Sequence, residues 1–185
     1  MQSNNSAIAL QSKEWLVQAL LSLMKTESYH KITIKKICLQ ADLSRQTFYN
    51  LFNQKDDVLR FHFKEQYQIT LDKYKALNNL KLQYMTDIFA DFLESNHIFL
   101  HLMLNQGLHC ILMEEISLAI PLFAAKITKH IADSHECSYV NAFMTGALTQ
   151  ILAYWMKDGQ PLSKEELSRL LQKLLTGTYY ELHHI

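Results

Sequence analysis

The chain has 185 residues, of which 49% are hydrophobic and 19% charged, and its eighteen basic side chains balance eighteen acidic ones. That apolar share builds a real core and excludes disorder, while a net charge of zero names no partner by itself. Only four glycines and two prolines occur, too few for the closely spaced turns of a sandwich, a barrel or a doubly wound sheet, so the chain reads as all-α.

A first helix is expected from Ser12, as its N-cap, to Glu27, with Trp15, Leu16, Ala19, Leu20, Leu23 and Met24 on its apolar face. Tyr29-His30-Lys31 breaks the pattern. A short second helix starts at the capping residue Thr33 and turns Ile34, Ile37 and Cys38 inward. Ala41-Asp42-Leu43 is a tight turn, a third helix runs from Ser44 to near Phe52, and a long fourth runs from Lys55 beyond Tyr74. Two or three apolar helices follow between Leu80 and Ile131, interrupted near Ser95-Asn96, near Gln106-Gly107 and before Pro121. After the polar gap Asp133–Glu136 a helix spans Ser138 to Lys157. The last helix opens with Ser163 and Glu166, three apart as a capping box requires, and continues to Tyr180.

Charge and cysteine placement narrow the function. Residues 1–60 carry eight basic and five acidic side chains, and residues 61–185 ten and thirteen. A basic N-terminal third is a weak footprint for a polyanion. Cys38, Cys110 and Cys137 are odd in number and lack Cys-x-x-Cys spacing, so no disulfide framework or zinc ribbon is expected. Each reads as a small buried residue in a reducing cytosol. The N-terminus lacks the pattern of a signal peptide. Ser95–Met113 and Ser138–Met156 contain no Asp, Glu, Lys or Arg, but their His, Asn, Gln and Thr side chains are costly in lipid, so no membrane span is expected.

The informative segment is residues 33–52, TIKKICLQADLSRQTFYNLF. A short helix, a three-residue turn and a second helix opened by Ser is the helix-turn-helix plan. Ile34, Ile37, Leu43 and Phe48 brace the second helix, which then offers Ser44, Arg45, Gln46, Thr47, Tyr49 and Asn50 to a major groove. Arg bonds a guanine edge bidentately and Gln an adenine edge, while Ser, Thr, Tyr and Asn suit phosphate oxygens. Thr33 and Ser44 serve equally well as caps alone. Lys31 and Lys36 read as solvated charge, and Phe48, Leu51 and Phe52 as packing.

Residues 32–59, ITIKKICLQADLSRQTFYNLFNQKDDVL, resemble the tetracycline-repressor (TetR) family of bacterial helix-turn-helix transcription regulators. The family pattern is an Ala-Gly-Val-Ser turn, Thr-x-Tyr, a following aromatic, and a Lys opening the fourth helix. Here these are Ala41-Asp42-Leu43-Ser44, Thr47-Phe48-Tyr49, Phe52 and Lys55. Asp42 departs from the usual Gly, at a turn position that tends to need positive φ, which Asp tolerates. Gln46 departs from a usual small residue and would add base readout. The resemblance implies an N-terminal three-helix DNA-binding domain (residues 9–69) joined by the fourth helix to a C-terminal helical ligand-binding and dimerisation domain (residues 70–185). It places Thr33, Lys35, Thr47, Tyr49, Asn50 and Lys55 near phosphates, and Arg45, Gln46 and Ser44 near base edges.

The helix at 138–156 is apolar nearly all round, so it must be covered on two sides. One side meets its own domain. The other most simply meets a second copy, through Phe143, Met144, Ala147, Leu148, Ile151, Leu152 and Trp155, with Leu170 and Leu174 of the last helix completing a four-helix interface. By resemblance, residues 80–135 enclose a pocket for a small apolar or aromatic effector, with Phe89, Phe92, Met103 and Phe123 as walls and Tyr84, His97 and His101 as polar handles.

The expected function is a non-enzymatic, cytoplasmic, nucleoid-associated regulator without a cofactor, binding a palindromic double-stranded operator as a homodimer. Repression is the expected output, with activation or control by a partner protein as the alternative. A helical-bundle metalloprotein is the rival class, because Glu27–His30 and Glu94–His97 have Glu-x-x-His spacing and His97–His101 that of a helical ligand pair.

Overall fold

The computed structural model describes residues 2–74, 82–127, 135–159 and 161–179; the side chains of residues 2–6, 122–127 and 135 lie outside that description. Among the described residues every regular element is helical. In chain order they are α1 (Gln2–Met24), a 3₁₀ turn (Tyr29–Lys31), α2 (Ile34–Gln40), α3 (Arg45–Leu51), α4 (Lys55–Lys73), α5 (Leu82–Ser95), α6 (His97–Asn105), α7 (His109–Ile127), α8 (His135–Lys157) and α9 (Lys164–Thr176). They form two compact units, residues 1–65 with 102–111, and residues 66–101 with 112–185. The segment 102–111, which a sequence-based boundary after residue 69 gives to the second domain, thus belongs to the first unit.

In the first unit α1 begins well before Ser12, which is buried within the helix and caps nothing. No Gly or Pro stands between Gln2 and Ser12 to stop it. Trp15 is half exposed, because it lies about 100° round the helix from the stripe of Leu16, Leu20 and Met24. That stripe is fully buried, as are Ile32, Ile37 and Phe48. Thr33 caps α2 by accepting from the Lys36 N–H at 3.3 Å, and Ser44 caps α3 by accepting from the Thr47 N–H at 2.9 Å. Between them α2 closes in a Schellman turn: the Leu43 N–H donates to Cys38 O at 2.9 Å and the Asp42 N–H to Leu39 O at 3.3 Å. Asp42 takes the left-handed position, at φ 52°. The same pair of bonds ends α6, from Leu108 to Met103 O and from Gly107 to Leu104 O, with Gly107 at φ 73°.

In the second unit α5 and α9 pack along each other. Ile88, Leu93, Leu152, Leu167 and Leu171 are buried there, and Ser168 Oγ donates to Thr86 Oγ1 at 2.9 Å across the seam. The capping box of α9 is present in full, with Ser163 and Glu166 bonding each other's backbone N–H groups at 3.3 and 2.9 Å.

Pro121 does not interrupt the chain; it lies inside α7. A helical proline orphans the carbonyl four residues earlier, here that of Ser117. The Asn141 side-chain amide on α8 donates to that oxygen, at 3.3 Å, so the proline costs the helix less than it otherwise would. Asn141→Ala should therefore lower unfolding stability by about 1 kcal/mol, and by clearly less in a Pro121→Ala background where the helix supplies its own donor. Urea unfolding of the four proteins measures this coupling, and equal losses in both backgrounds would refute it.

Candidate nucleic-acid interface

α3 has one buried face and one exposed face. Phe48 is fully buried and packs against Phe52 at a ring separation of 5.9 Å, with Tyr49 edge-on at 5.6 Å. Phe52 continues to Phe61 at 5.8 Å, and the Lys13 ammonium covers both of those rings, at 5.7 and 5.0 Å. These contacts fix the helix about its axis. On this helix Arg45, Gln46, Tyr49 and Asn50 are exposed, as are Thr33, Lys35 and Ser44, while Thr47 and Leu51 are half-buried.

The exposed side chains are tied to one another. The Arg45 guanidinium lies 6.0 Å from the Tyr49 ring centre, a loose cation–π contact. The Gln46 amide donates to Asn50 Oδ1 at 3.1 Å, and the Ser44 and Thr47 hydroxyls are 2.8 Å apart. Cys38, behind the turn, is buried, and burial raises its thiol pKa, so it stays protonated and unreactive. Cys110 is exposed and Cys137 half-buried, against the expectation of three buried cysteines.

Lys55 has a structural engagement that the sequence does not reveal. Its ammonium donates to the carbonyls of Tyr29 and Ile32, at 2.7 and 3.0 Å, and sits 4.1 Å from the Tyr29 ring centre. Burial lowers its pKa, partly offset by Asp56. With two of three N–H groups given to carbonyls, one remains. Tyr29 itself is buried and donates its hydroxyl to Asp56. Its backbone N–H goes to the Gln106 side chain at 2.8 Å, and the Gln106 amide donates in turn to Met24 O at 2.8 Å and Glu27 O at 3.3 Å. Gln106 thus caps the end of α1. Sequence reasoning missed both Tyr29 and Gln106, since Gln106-Gly107 signals only an interruption.

The other expected sites divide. Along α8, Phe143 is exposed and Met144, Ala147, Leu148 and Ile151 are half-buried, as are Leu170 and Leu174 of α9. Leu152 and Trp155, expected at an interface, are instead buried within the chain, and Trp155 Nε1 donates to Leu162 O at 3.0 Å. Helical phase decides this: Thr145, Leu152, Trp155 and Met156 share the inward stripe, while Tyr139, Val140 and Tyr154 fall outward. Of the expected effector residues, Tyr84 and Phe89 are half-buried, Phe92 is buried beside the Tyr67 ring at 6.2 Å, and Met103 is buried in the first unit. His97 and His101 are exposed, which removes them as handles inside a closed pocket, and the Phe123 side chain lies outside the described residues.

Among the described residues no three His, Cys, Asp or Glu side chains converge to hold a metal ion. Glu27 is paired with Lys36 at 2.6 Å and Glu94 with Lys164 at 3.2 Å. Among the same residues no helix is long and apolar enough to cross a membrane.

A short capped helix braced through an αL turn, in front of a long fourth helix, defines a helix-turn-helix protein. A TetR-type profile described as "Transcriptional regulator C-terminal region" matches residues 81–177, more than half of the chain. The chain belongs to the TetR family of transcriptional regulators and is not an enzyme. Over 88 residues it is 30% identical to the HTH-type dhaKLM operon transcriptional activator DhaS of Lactococcus lactis subsp. lactis (strain IL1403). That match spans 45% of this chain and 44% of the relative, less than half the relative's length. Two solved structures share the fold. Lin0861 from Listeria innocua has a TM-score of 0.76 at 16% identity, covering 91% of each chain. A TetR transcriptional regulator from Streptococcus agalactiae 2603V has a TM-score of 0.62 at 17% identity, covering 94% of this chain and 98% of its own.

Lys55→Ala leaves the Tyr29 and Ile32 carbonyls without their charged donor and should cost about 1–3 kcal/mol of stability in the free protein. Denaturant unfolding without DNA measures it; an unchanged midpoint would show that the ammonium is not needed there.

Proposed function

We propose that the chain binds double-stranded operator DNA as a homodimer through α3, in the cytoplasm at the nucleoid, and represses transcription there. The observation that carries this reading is the two-faced α3, with Phe48 locked inward and Arg45, Gln46, Tyr49 and Asn50 on the outer face. Arg45, Gln46 and Ser44 approach base edges. Thr33, Lys35, Thr47, Tyr49 and the third N–H of Lys55 approach phosphates. Arg45→Ala should weaken operator binding by about 1–3 kcal/mol and relax the preference at one base position in each half-site. Affinities for operator and scrambled duplexes decide this; equal losses on both would make Arg45 a phosphate anchor.

The homodimer is supported by the outer stripe of α8. Tyr139, Val140, Phe143 and Tyr154 are 71, 57, 69 and 65% exposed in the single chain, a cost that a second copy would remove. A groove of about 310 Å³ beside it is lined by Ile151, Tyr154, Leu170 and Leu174, extending the apolar surface. Phe143→Glu should leave the single chain folded and shift it to monomer, because the residue has little to lose within its own chain. Sedimentation of both proteins checks this, and a wild type that sediments as a monomer at micromolar concentration would refute the homodimer.

Repression needs only promoter occupancy. The second reading, activation, is favoured by the Lactococcus relative, which is named a transcriptional activator. Transcription in vitro from a bound promoter, with and without the protein, separates the two by sign. A small apolar or aromatic effector acting through residues 80–155, near Tyr84, Phe89 and Phe92, completes the proposal, and its binding should weaken that of the operator.

A further inference from the structure

Gln46 and Asn50 stand one turn apart on the exposed face of α3, and the Gln46 side-chain amide donates to Asn50 Oδ1 at 3.1 Å. Residues i and i+4 are neighbours on a helix, so the bond needs no change of backbone. Arg45 over Tyr49 is the parallel pair beside it. Each first-turn side chain is therefore held by one from the next turn.

A primary amide has two N–H donors and one carbonyl acceptor. With one N–H engaged by Asn50, Gln46 retains one N–H and its carbonyl oxygen. The major-groove edge of adenine needs that combination, since its N6–H donates to a carbonyl and its N7 accepts from an N–H. A long side chain that is already tethered also loses less freedom when it docks. We propose that Asn50 is a positioning residue for specificity: its carbonyl holds the Gln46 amide so that Gln46 reads an adenine in each half-site, and Asn50 does not anchor a phosphate. The inference rests on DNA recognition by α3 and assigns a base to one of its readers.

The test uses full-length protein and duplexes recovered from a randomised pool by the wild type, each then varied through all four bases at every half-site position. Affinities are measured across a salt series for wild type, Gln46→Ala, Asn50→Ala, Asn50→Asp and the Gln46→Ala/Asn50→Ala double variant. The wild type should prefer adenine at one position per half-site by roughly tenfold or more. Gln46→Ala and Asn50→Ala should flatten that preference at the same position, and the double variant should lose no more than either single one. On duplexes that lack that adenine, Asn50→Ala should bind about as well as the wild type. Asn50→Asp keeps the acceptor, so the adenine preference should survive while its negative charge weakens binding to every duplex. A similar loss of affinity for Asn50→Ala on every duplex, with the adenine preference intact, would make Asn50 a phosphate anchor and overturn the proposal. A preference lost at a different position would make Asn50 a reader in its own right and overturn it equally. If Gln46→Ala changes no position, this inference fails while DNA recognition stands; if the wild type enriches no duplex from the pool, both fail together.

Discussion

Tyr29 is the residue on which the first unit depends. Its backbone N–H is taken by Gln106, its carbonyl and ring by the Lys55 ammonium, and its hydroxyl by Asp56. One buried residue in a single 3₁₀ turn, through its backbone and its side chain, thereby connects the end of α1, the start of α4 and a segment more than seventy residues further along the chain. Loop closure over that distance is entropically costly, so these bonds require the hydrophobic stripes of α1 and α2 to form alongside them. Burial, and then the Asp56 carboxylate, push the phenol well above its usual pKa, so the hydroxyl stays a donor through the physiological range.

The consequence for α3 is rigidity. α3 is only seven residues long, too short to be stable by itself, and its two caps, Ser44 in front and the Phe52 backbone behind, are local. What fixes its outward direction is the row Phe48, Phe52 and Phe61 beneath it, and the fixed start of α4 that follows. The exposed side chains of α3 then sit on a surface that does not need to reorganise. The paired arrangement of Arg45 with Tyr49 and of Gln46 with Asn50 extends the same rigidity to the side chains themselves.

Polar groups in the second unit follow a related logic. The Ser117 carbonyl orphaned by Pro121 is met by Asn141, and Asp91 is met by Lys73 and Lys164 at 3.0 and 3.4 Å. A buried carboxylate between two partly exposed ammonium groups gives geometry more than net stability, because desolvation offsets much of the attraction. These contacts orient the end of α4, α5 and α9 within that unit.

Much of this was legible in the residues alone. The caps at Thr33 and Ser44, the capping box at Ser163 and Glu166, and the turn at Asp42 depend on groups three to six positions apart, and local geometry suffices to place them. The positive φ of Asp42 is an expectation of the family resemblance, at a position where Gly is usual, and the Schellman turn supplies its physical reason. Tertiary structure decided what depends on distant partners. Asn141 eases the continuation of α7 through Pro121, Gln106 ties residues 102–111 to the first unit, and Lys55 is engaged by the Tyr29 and Ile32 carbonyls. Trp155 and Tyr154 are adjacent and equally apolar in sequence, yet one is buried and one exposed. A helix that is apolar all round carries no phase in its composition, so only the packing of its neighbours selects which stripe faces in.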